Sequence, residues 1–303
     1  MCILHCNLSL IKHQHKFAWV IKINKMNENF EHSPGSLSIV GSRVSHLEST
    51  TSTMDVAWEL ASEGAPDGTV VIADHQSAGR GRYDRSWVSR HAEDILCSVL
   101  LRPRVTLAGE LLMLAALAVA NVAEEFGVDV GIKWPNDVQV AGKKLAGVIA
   151  ESKTGPEISV EDNAVGLDST NTGVDRITAV IGIGLNVNFD PRSSTELAPN
   201  STSLAGELGH KLDRREVFEM LMRSLDNHYR AITAGGTIFP AWRERLTTLG
   251  KEVTVVGGKS CSSPEELIGI AHDVDSAGRL IVRGATGRDW PVAAGEVTVK
   301  DIQ

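Results

Sequence analysis

The feature that most limits how this chain can fold is a long, almost entirely apolar stretch at residues 107–126. Gly109, Glu110 and Asn121 interrupt it, so it falls short of the roughly 18 apolar residues that a membrane-spanning helix needs. A helix that is apolar on nearly every side has to be buried inside the protein. The stretch therefore predicts a core helix of a globular fold and no membrane association.

Composition and charge narrow the class of protein further. Of the 303 residues, 42% are hydrophobic and 22% are charged, which is typical of a globular chain that forms one large domain or two. The 38 acidic residues outnumber the 30 basic ones and leave a net charge of −8. Nucleic-acid-binding proteins usually carry the opposite balance, so we expect no nucleic-acid partner.

The cysteines indicate a reducing compartment. Cys2 and Cys6 lie near the N-terminus, Cys97 and Cys261 are far from them and from each other, and no pair has the spacing of metal ligands. Proteins that rely on disulfides occur mainly in oxidising compartments. We therefore expect a reduced, cytoplasmic protein.

Residues 1–38 differ in character from the rest of the chain. Short apolar pieces alternate with Lys and His without a steady period, and the apolar centre and cleavage site of a signal peptide are missing. We predict an irregular N-terminal extension that is outside the folded part. A targeting presequence and a true start at Met26 are the alternatives for this segment.

Residues 39–248 have the pattern of an α+β domain. Hydroxyl-bearing residues at 49–53 offer several N-caps for a helix with apolar residues at helical spacing, and Gly64 can end that helix. Apolar and β-branched runs predict strands at 69–73, 95–101, 128–133, 137–140, 144–151 and 177–187. Two further helices are predicted at 217–229 and 242–249.

The pattern changes at residue 249, where short strands begin to alternate with Gly and Asp clusters. Strands are predicted at 253–256, 267–272, 280–282 and 296–299. This pattern is typical of a small all-β barrel. We therefore predict a second, smaller domain at residues 249–303.

The most unusual run is QSAGRGRYDRSW at residues 76–87, directly after the strand at 69–73. Arg80, Arg82 and Arg85 place cationic side chains beside glycines, whose backbone lets a ligand approach closely. The combination suits a phosphate or a carboxylate. It matches neither the P-loop nor the dinucleotide-binding pattern. A surface loop and a short RNA contact are the alternatives for this run alone.

Three more runs stand at predicted strand ends or within strands. KWPND at 133–137 places Lys133 at a strand end beside a Trp-Pro corner. KLAGVIAE at 144–151 contains Gly147, and GIGLN at 182–186 contains two further glycines within a strand. Glycine inside a strand marks a bulge or the close approach of a ligand or another backbone.

In this order the four runs are similar to those of the biotin protein ligase family (biotin–[acetyl-CoA-carboxylase] ligase). The resemblance extends from about residue 45 to residue 303. It implies an α+β fold: a mixed β-sheet with packed helices (the class II synthetase-like biotin/lipoate ligase fold), then an SH3-like β-barrel. It also implies a catalytic biotin/ATP-binding domain at 39–248. Because nothing resembles a DNA-binding winged helix, we expect the monofunctional type.

The resemblance implies an activity. Such ligases use ATP to attach biotin to a lysine of a biotin carboxyl carrier protein through a biotinyl-5′-AMP intermediate. ATP, biotin and Mg²⁺ are therefore the expected substrates and cofactor, and the carrier domain of a biotin-dependent carboxylase is the expected partner. A homodimer is left open. A lipoate–protein ligase and a biotin-binding regulator without transfer activity are the alternatives.

The resemblance also implies site residues, carried over one by one. Arg80 and Lys133 are the expected catalytic cations for the biotin carboxylate and the α-phosphate. The expected biotin-binding residues are Ser52, Thr53, Met54, Gln76, Arg80, Gly81, Arg82, Lys133, Gly147, Gly182 and Gly184. The expected ATP-binding residues are Arg82, Arg85, Trp87, Asn136 and Asn186. No metal ligand is assigned.

Asp84 departs from the family pattern, which usually has glycine at this position, and it adds a negative charge beside the expected phosphates. We expect Asp84→Gly to lower the KM for ATP several-fold, because two like charges then no longer repel each other. Steady-state kinetics with varied ATP measures this. An ATP KM that does not fall in the glycine variant would show that the repulsion is absent.

Overall fold

The structure, a computed structural model, describes residues 39–83, 85–154, 176–189, 200–256, 266–293 and 296–299. The predicted N-terminal extension and Asp84 lie outside these residues. Two sheets and the helices packed on them make up the described part.

A seven-stranded mixed sheet forms the centre of the larger part, in the spatial order β1-β2-β3-β7-β6-β5-β4. Only β1 and β2 are parallel, and every other pair of neighbours is antiparallel. The strands are β1 (Arg43–Leu47), β2 (Thr69–Ala73), β3 (Ile95–Leu101), β4 (Gly131–Lys133), β5 (Asp137–Val140), β6 (Lys143–Lys153) and β7 (Thr178–Leu185). The predicted mixed sheet is confirmed.

Helices lie on both faces of this sheet. They are α1 (Thr53–Ser62), α2 (Glu110–Glu125), α3 (Leu204–Leu208), α4 (Arg214–Thr233) and α5 (Phe239–Glu244). Strand β2 shows the two faces, because Val70 and Ile72 join the core around α2 whereas Val71 and Ala73 join the core under α1.

Helix α2 is the core helix predicted from the apolar stretch. Residues 114–120 are each at most 1% exposed, and the helix packs between β4–β7 on one side and α4 on the other. Among the described residues, no helix combines the length and the apolar character needed to cross a membrane.

The smaller sheet is antiparallel, in the order β11-β10-β9-β8-β12. Its strands are β8 (Glu252–Val256), β9 (Glu266–Val274), β10 (Leu280–Arg283), β11 (Asp289–Val292) and β12 (Glu296–Val299). It is compatible with the predicted SH3-like barrel, although the described strands leave it open between β11 and β12. The domain boundary at residues 248 and 249 stays a prediction.

Trp134 connects the two sheets. Its side chain is 2% exposed, and its Nε1–H donates a hydrogen bond of 2.9 Å to the carbonyl oxygen of Gly278 in the turn before β10. Its backbone N–H donates to Thr248 Oγ1 at 2.9 Å. These bonds hold the smaller sheet beside the strand end that carries Lys133.

The predicted helix at residues 242–249 was wrong in its extent. Helix α5 ends at Glu244, because the following backbone pairs with the edge strand β4 instead. The N–H of Ile132 donates to the carbonyl of Arg245 at 2.7 Å, and the N–H of Thr247 donates to the carbonyl of Ile132 at 2.9 Å. This pairing satisfies backbone groups that an edge strand would otherwise leave open.

Asp94 is a buried carboxyl group just before β3, and it is 1% exposed. Its Oδ1 accepts hydrogen bonds from the N–H groups of Val187 at 2.9 Å and Phe189 at 3.4 Å, whereas Oδ2 has no hydrogen-bond partner in the structure. Burial raises the pKa of Asp94 to about 7, despite the opposing effect of these hydrogen bonds.

The raised pKa of Asp94 predicts how stability depends on pH. The unfolded chain loses this proton near pH 3.9, and the folded protein keeps it to about pH 7, so the free energy of unfolding falls as pH rises between these values. Asn cannot ionise, so we expect the free energy of unfolding of Asp94→Asn to fall by about 2 kcal/mol less than that of the native protein between pH 5 and pH 8. Urea unfolding at each pH measures this, with the exposed Asp129→Asn as control. Parallel pH profiles of Asp94→Asn and the native protein would contradict the assignment.

Candidate active site

A cleft of about 350 Å³ opens where the N-terminus of α1 and the segment after β2 face strands β5, β6 and β7. The structure brings every site residue predicted from the sequence to the lining of this one cleft. They are Ser52, Thr53, Met54, Gln76, Arg80, Gly81, Arg82, Arg85, Trp87, Lys133, Asn136, Gly147, Gly182, Gly184 and Asn186. The lining alone does not assign their roles.

One end of the cleft is a small hydrogen-bonding pocket at the start of α1. Ser52 is the N-cap of the helix, and its Oγ accepts the N–H of Met54 at 3.3 Å. Gln76 Oε1 accepts the N–H of Thr53 at 2.7 Å and the hydroxyl of Thr53 at 3.0 Å. Because the carbonyl oxygen of Gln76 is engaged by α1, its amide nitrogen is the group that can donate to a ligand.

Glycines form the floor of the cleft. A Cβ atom at Gly184 would lie 2.5 Å from Cε2 of Trp87, and one at Gly147 would lie 3.1 Å from Cζ3 of the same ring. A Cβ atom at Gly182 would lie 2.8 Å from the sulfur of Met54. The missing side chains therefore make the room that Trp87 and Met54 occupy, and the buried Trp87 Nε1 has no hydrogen-bond partner.

The arginines belong to a tight turn between Gly79 and Trp87. The N–H of Trp87 donates to the carbonyl of Gly79 at 2.9 Å, which closes the turn. Arg80 pairs with Asp55 of α1 at 2.7 Å and is 43% exposed. Arg82 donates to Asn136 Oδ1 at 3.1 Å, so its guanidinium lies across the cleft from the turn.

Asn136 is buried, and its hydrogen bonds connect other residues of the site to each other. Its Oδ1 accepts from Arg82, and its Nδ2 donates to the carbonyl of Val148 in β6. Its N–H donates to the carbonyl of Lys133 at 3.1 Å, which sets the corner that presents Lys133. These bonds orient the two cations, and they leave the predicted contact of Asn136 with ATP as an expectation.

Asn186 is also held by internal bonds. It is 4% exposed, and its Nδ2 donates to the carbonyl of Thr202 at 2.9 Å. Its backbone N–H donates to the carbonyl of Leu145 at 3.0 Å, which joins the end of β7 to β6.

Lys144 is a cation of the cleft to which the sequence analysis assigned no role. Its Nζ lies 2.7 Å from Asp137 Oδ1 and 5.6 Å from the centre of the Trp87 ring. A Cβ atom at Gly147 would lie 3.0 Å from the same Nζ. The ammonium group therefore sits directly above the glycine floor.

A β-bulge explains why the sequence pattern did not find Lys144. Regular alternation places residues 144 and 147 on opposite faces of a strand. In the β5–β6 pair, Val138 faces Ala146 but Gln139 faces Lys144, so Leu145 is an extra residue. The extra residue returns Lys144 to the face of Gly147. In the sequence, the only sign of a role for Lys144 was its position beside a glycine-containing strand, and that position did not reveal the bulge.

The cleft offers little for a metal ion by itself. Among the described residues, no group of three or more His, Cys, Asp or Glu could hold a metal, and the described lining contains one carboxylate, Asp137. This donor set fits Mg²⁺ that is bound chiefly through the phosphates of a nucleotide. Cys97 also lines the cleft, but burial raises the pKa of its thiol to about 12, so we expect a protonated thiol there at neutral pH.

Comparison with known proteins identifies the family. Residues 46–168 match the model of the Biotin/lipoate A/B protein ligase family. The biotin–[acetyl-CoA-carboxylase] ligase of Mycobacterium tuberculosis is 34% identical over 252 residues, which cover 80% of this chain and 83% of the relative. The bifunctional ligase/repressor BirA of Bacillus subtilis is 36% identical over 196 residues, 63% of this chain.

The match to BirA covers 55% of its length, so the chain spans about half of that relative. The solved structure of the biotin protein ligase from Aquifex aeolicus, in complex with biotin and ATP, superimposes with a TM-score of 0.65 and 24% identity. The match covers 86% of this chain and 99% of that one, and it establishes the fold. This chain is therefore a member of the biotin protein ligase family.

Proposed function

We propose that this protein uses ATP to attach biotin to a lysine of a biotin carboxyl carrier domain, through biotinyl-5′-AMP. The observation that carries the proposal is the composition of the cleft. An uncharged pocket formed by Thr53, Gln76 and the glycine floor continues directly into a group of five cationic side chains. They are Arg80, Arg82, Arg85, Lys133 and Lys144. The names of the relatives support the same activity.

The first step joins two anions, and the cations of the cleft make this possible. A carboxylate oxygen of biotin attacks the α-phosphorus of ATP, and pyrophosphate leaves. Fixed cations stabilise the charge that develops on the phosphorus oxygens, because they are already oriented before the reaction. Arg80 and Lys133 are the cations expected from the sequence, and the position of Lys144 above the glycine floor adds a third.

The uncharged pocket suits the ring system of biotin. The Gln76 amide nitrogen can hydrogen-bond to the ureido group. We expect the ring to pack against the side chains of Trp87 and Met54, because these occupy the space above the glycine floor. Trp87 lies on that floor between the pocket and Lys144, so its indole offers a stacking surface for the adenine of ATP. Met54 contributes a sulfur atom that packs against Gly182.

The second step transfers biotin to the carrier. The lysine amine of the carrier attacks the carbonyl carbon of the mixed anhydride, an amide bond forms, and AMP leaves. The proton of the amine is released to solvent. Arg82 and Arg85 line the cleft, and we expect their guanidinium groups to hold the leaving phosphate. Mg²⁺ bound through the phosphates would neutralise part of their charge in the first step.

Biotin-dependent exchange of pyrophosphate into ATP tests the proposal, with lipoate as the parallel acid. We expect exchange with biotin and none with lipoate, because the ureido group requires the Gln76 donor and lipoate lacks a ureido group. Exchange with lipoate alone would assign the chain to lipoate ligation. Binding of biotin by folded protein without exchange would favour a regulator without transfer activity.

Single substitutions test the two cleft lysines. We expect Lys144→Met and Lys133→Met each to lower kcat/KM of the exchange reaction by roughly 100-fold. This is the usual cost of removing one oriented hydrogen-bond donor that stabilises charge in the transition state. Lys143→Met is the matched control, because Lys143 is the exposed neighbour of Lys144 on the same strand, and it should stay within twofold of the native rate. Full activity of Lys133→Met would transfer its proposed role to Lys144.

A further inference from the structure

We infer that Arg214 is a positioning residue that holds the arginine-bearing loop in its binding conformation. We define the site loop as the described residues of 74–83 and 85–94, which connect β2 to β3 and carry Gln76, the cleft arginines and Trp87. The inference rests on the proposed function, because that function makes this loop the part that binds ligand. Neither the family motifs nor the lining of the cleft includes Arg214.

The guanidinium of Arg214 bridges the two ends of the site loop. At the first end, Nη2 donates to the carbonyl of Ala73 at 3.0 Å, and Nη1 forms an ion pair with the carboxylate of Asp74. At the second end, Nε donates to the carbonyl of Asp94 at 2.8 Å. One planar group therefore joins the last residues of β2 to the residue before β3, which a lysine ammonium cannot do with the same geometry.

The bridge is largely shielded from water. The side chains of Arg214 and Asp74 are 12% and 13% exposed, and Nε2 of His46 in β1 lies 2.9 Å from Asp74 Oδ1, the oxygen that also pairs with Arg214. Burial alone would raise the pKa of Asp74, but the hydrogen bonds from His46 and Arg214 outweigh it and lower the pKa. The carboxylate is therefore ionised, and the ion pair is stronger than an exposed one.

The second end of the loop is also tied to the strand that carries the glycine floor. The N–H of Asn188 donates to the carbonyl of Glu93 at 3.0 Å, and the carboxyl of Asp94 accepts the N–H groups of Val187 and Phe189. Through Asp94, Arg214 thus connects the site loop to the segment that follows Asn186. The ends of the loop also bond to each other, because the N–H of Ala92 donates to the carbonyl of Asp74 at 2.8 Å.

These contacts predict an effect on binding more than on chemistry. The groups that contact ligand lie in the middle of the loop, and Arg214 contacts only its ends. If the loop ends separate part of the time, only the remaining fraction of molecules binds, and the apparent dissociation constant rises by the inverse of that fraction. Loss of global stability has a different signature, since it removes active molecules and lowers kcat at an unchanged KM.

Arg214→Lys, assayed beside the native protein by biotin-dependent pyrophosphate exchange, tests the inference. We expect the KM for biotin to rise about tenfold, with kcat within threefold of the native value. A tenfold rise corresponds to about one tenth of the molecules being able to bind ligand at any time. Arg215→Lys is the matched control, because Arg215 is the next residue of α4, 50% exposed and paired with Glu219, and it should leave both constants unchanged.

Hydrogen exchange provides a readout that is independent of activity. In Arg214→Lys we expect the amides of Ala92 and Asn188 to exchange faster, while the amides of β3 and β7 keep native protection. If Arg214→Lys does not fold, Asp74→Asn weakens the same bridge and should show the same pattern.

The outcomes separate the inference from the proposed function. A lowered kcat at unchanged biotin KM, or native values of both with native exchange at Ala92, would overturn the role of Arg214. Absence of exchange activity in the native protein with biotin would overturn the proposed function instead. In that case the amide exchange of Ala92 and Asn188 decides the positioning role by itself.

Discussion

The structure depends on the unequal covering of the two faces of its seven-stranded sheet. On one face, α2 lies across β4 to β7 and is so apolar that it has to be buried there. On the other face, α1 packs mainly on β2, β3 and β7, and its Trp58 donates a hydrogen bond to Glu151 in the last part of β6. Asp137 of β5 and the first residues of β6, Lys144 and Gly147, line the gap beside α1, and the segments that precede α1 and β5 close around it to form the cleft.

The electrostatics of the site are local and differ from those of the whole chain. The protein carries a net charge of −8, yet five cationic side chains line one cleft. Several of them are held by partners within the site, such as Lys144 by Asp137 and Arg82 by Asn136. These partners keep the cations oriented, so that binding of an anionic ligand costs little additional ordering.

Much of the fold and of the site could be predicted from the sequence. The strands at Thr69–Ala73, Ile95–Leu101 and Asp137–Val140 were predicted with the bounds that the structure has, because each is a short apolar or alternating run with a clear end. β1 and β11 were not predicted. β11 contains Pro291, which is acceptable only because this strand lies at the edge of its sheet, and edge position is not visible in a sequence.

The sequence by itself determined the core helix, the α+β class and the set of residues that could bind an anionic ligand, because these follow from local periodicity and from residue chemistry. The mixed sheet was expected only from the resemblance to the family. The tertiary structure alone decided how those residues act together. A single bulge at Leu145 places Lys144 above Gly147, and long-range hydrogen bonds place Arg214 at both ends of the site loop. Both depend on pairing between segments distant in the chain, which local patterns do not encode.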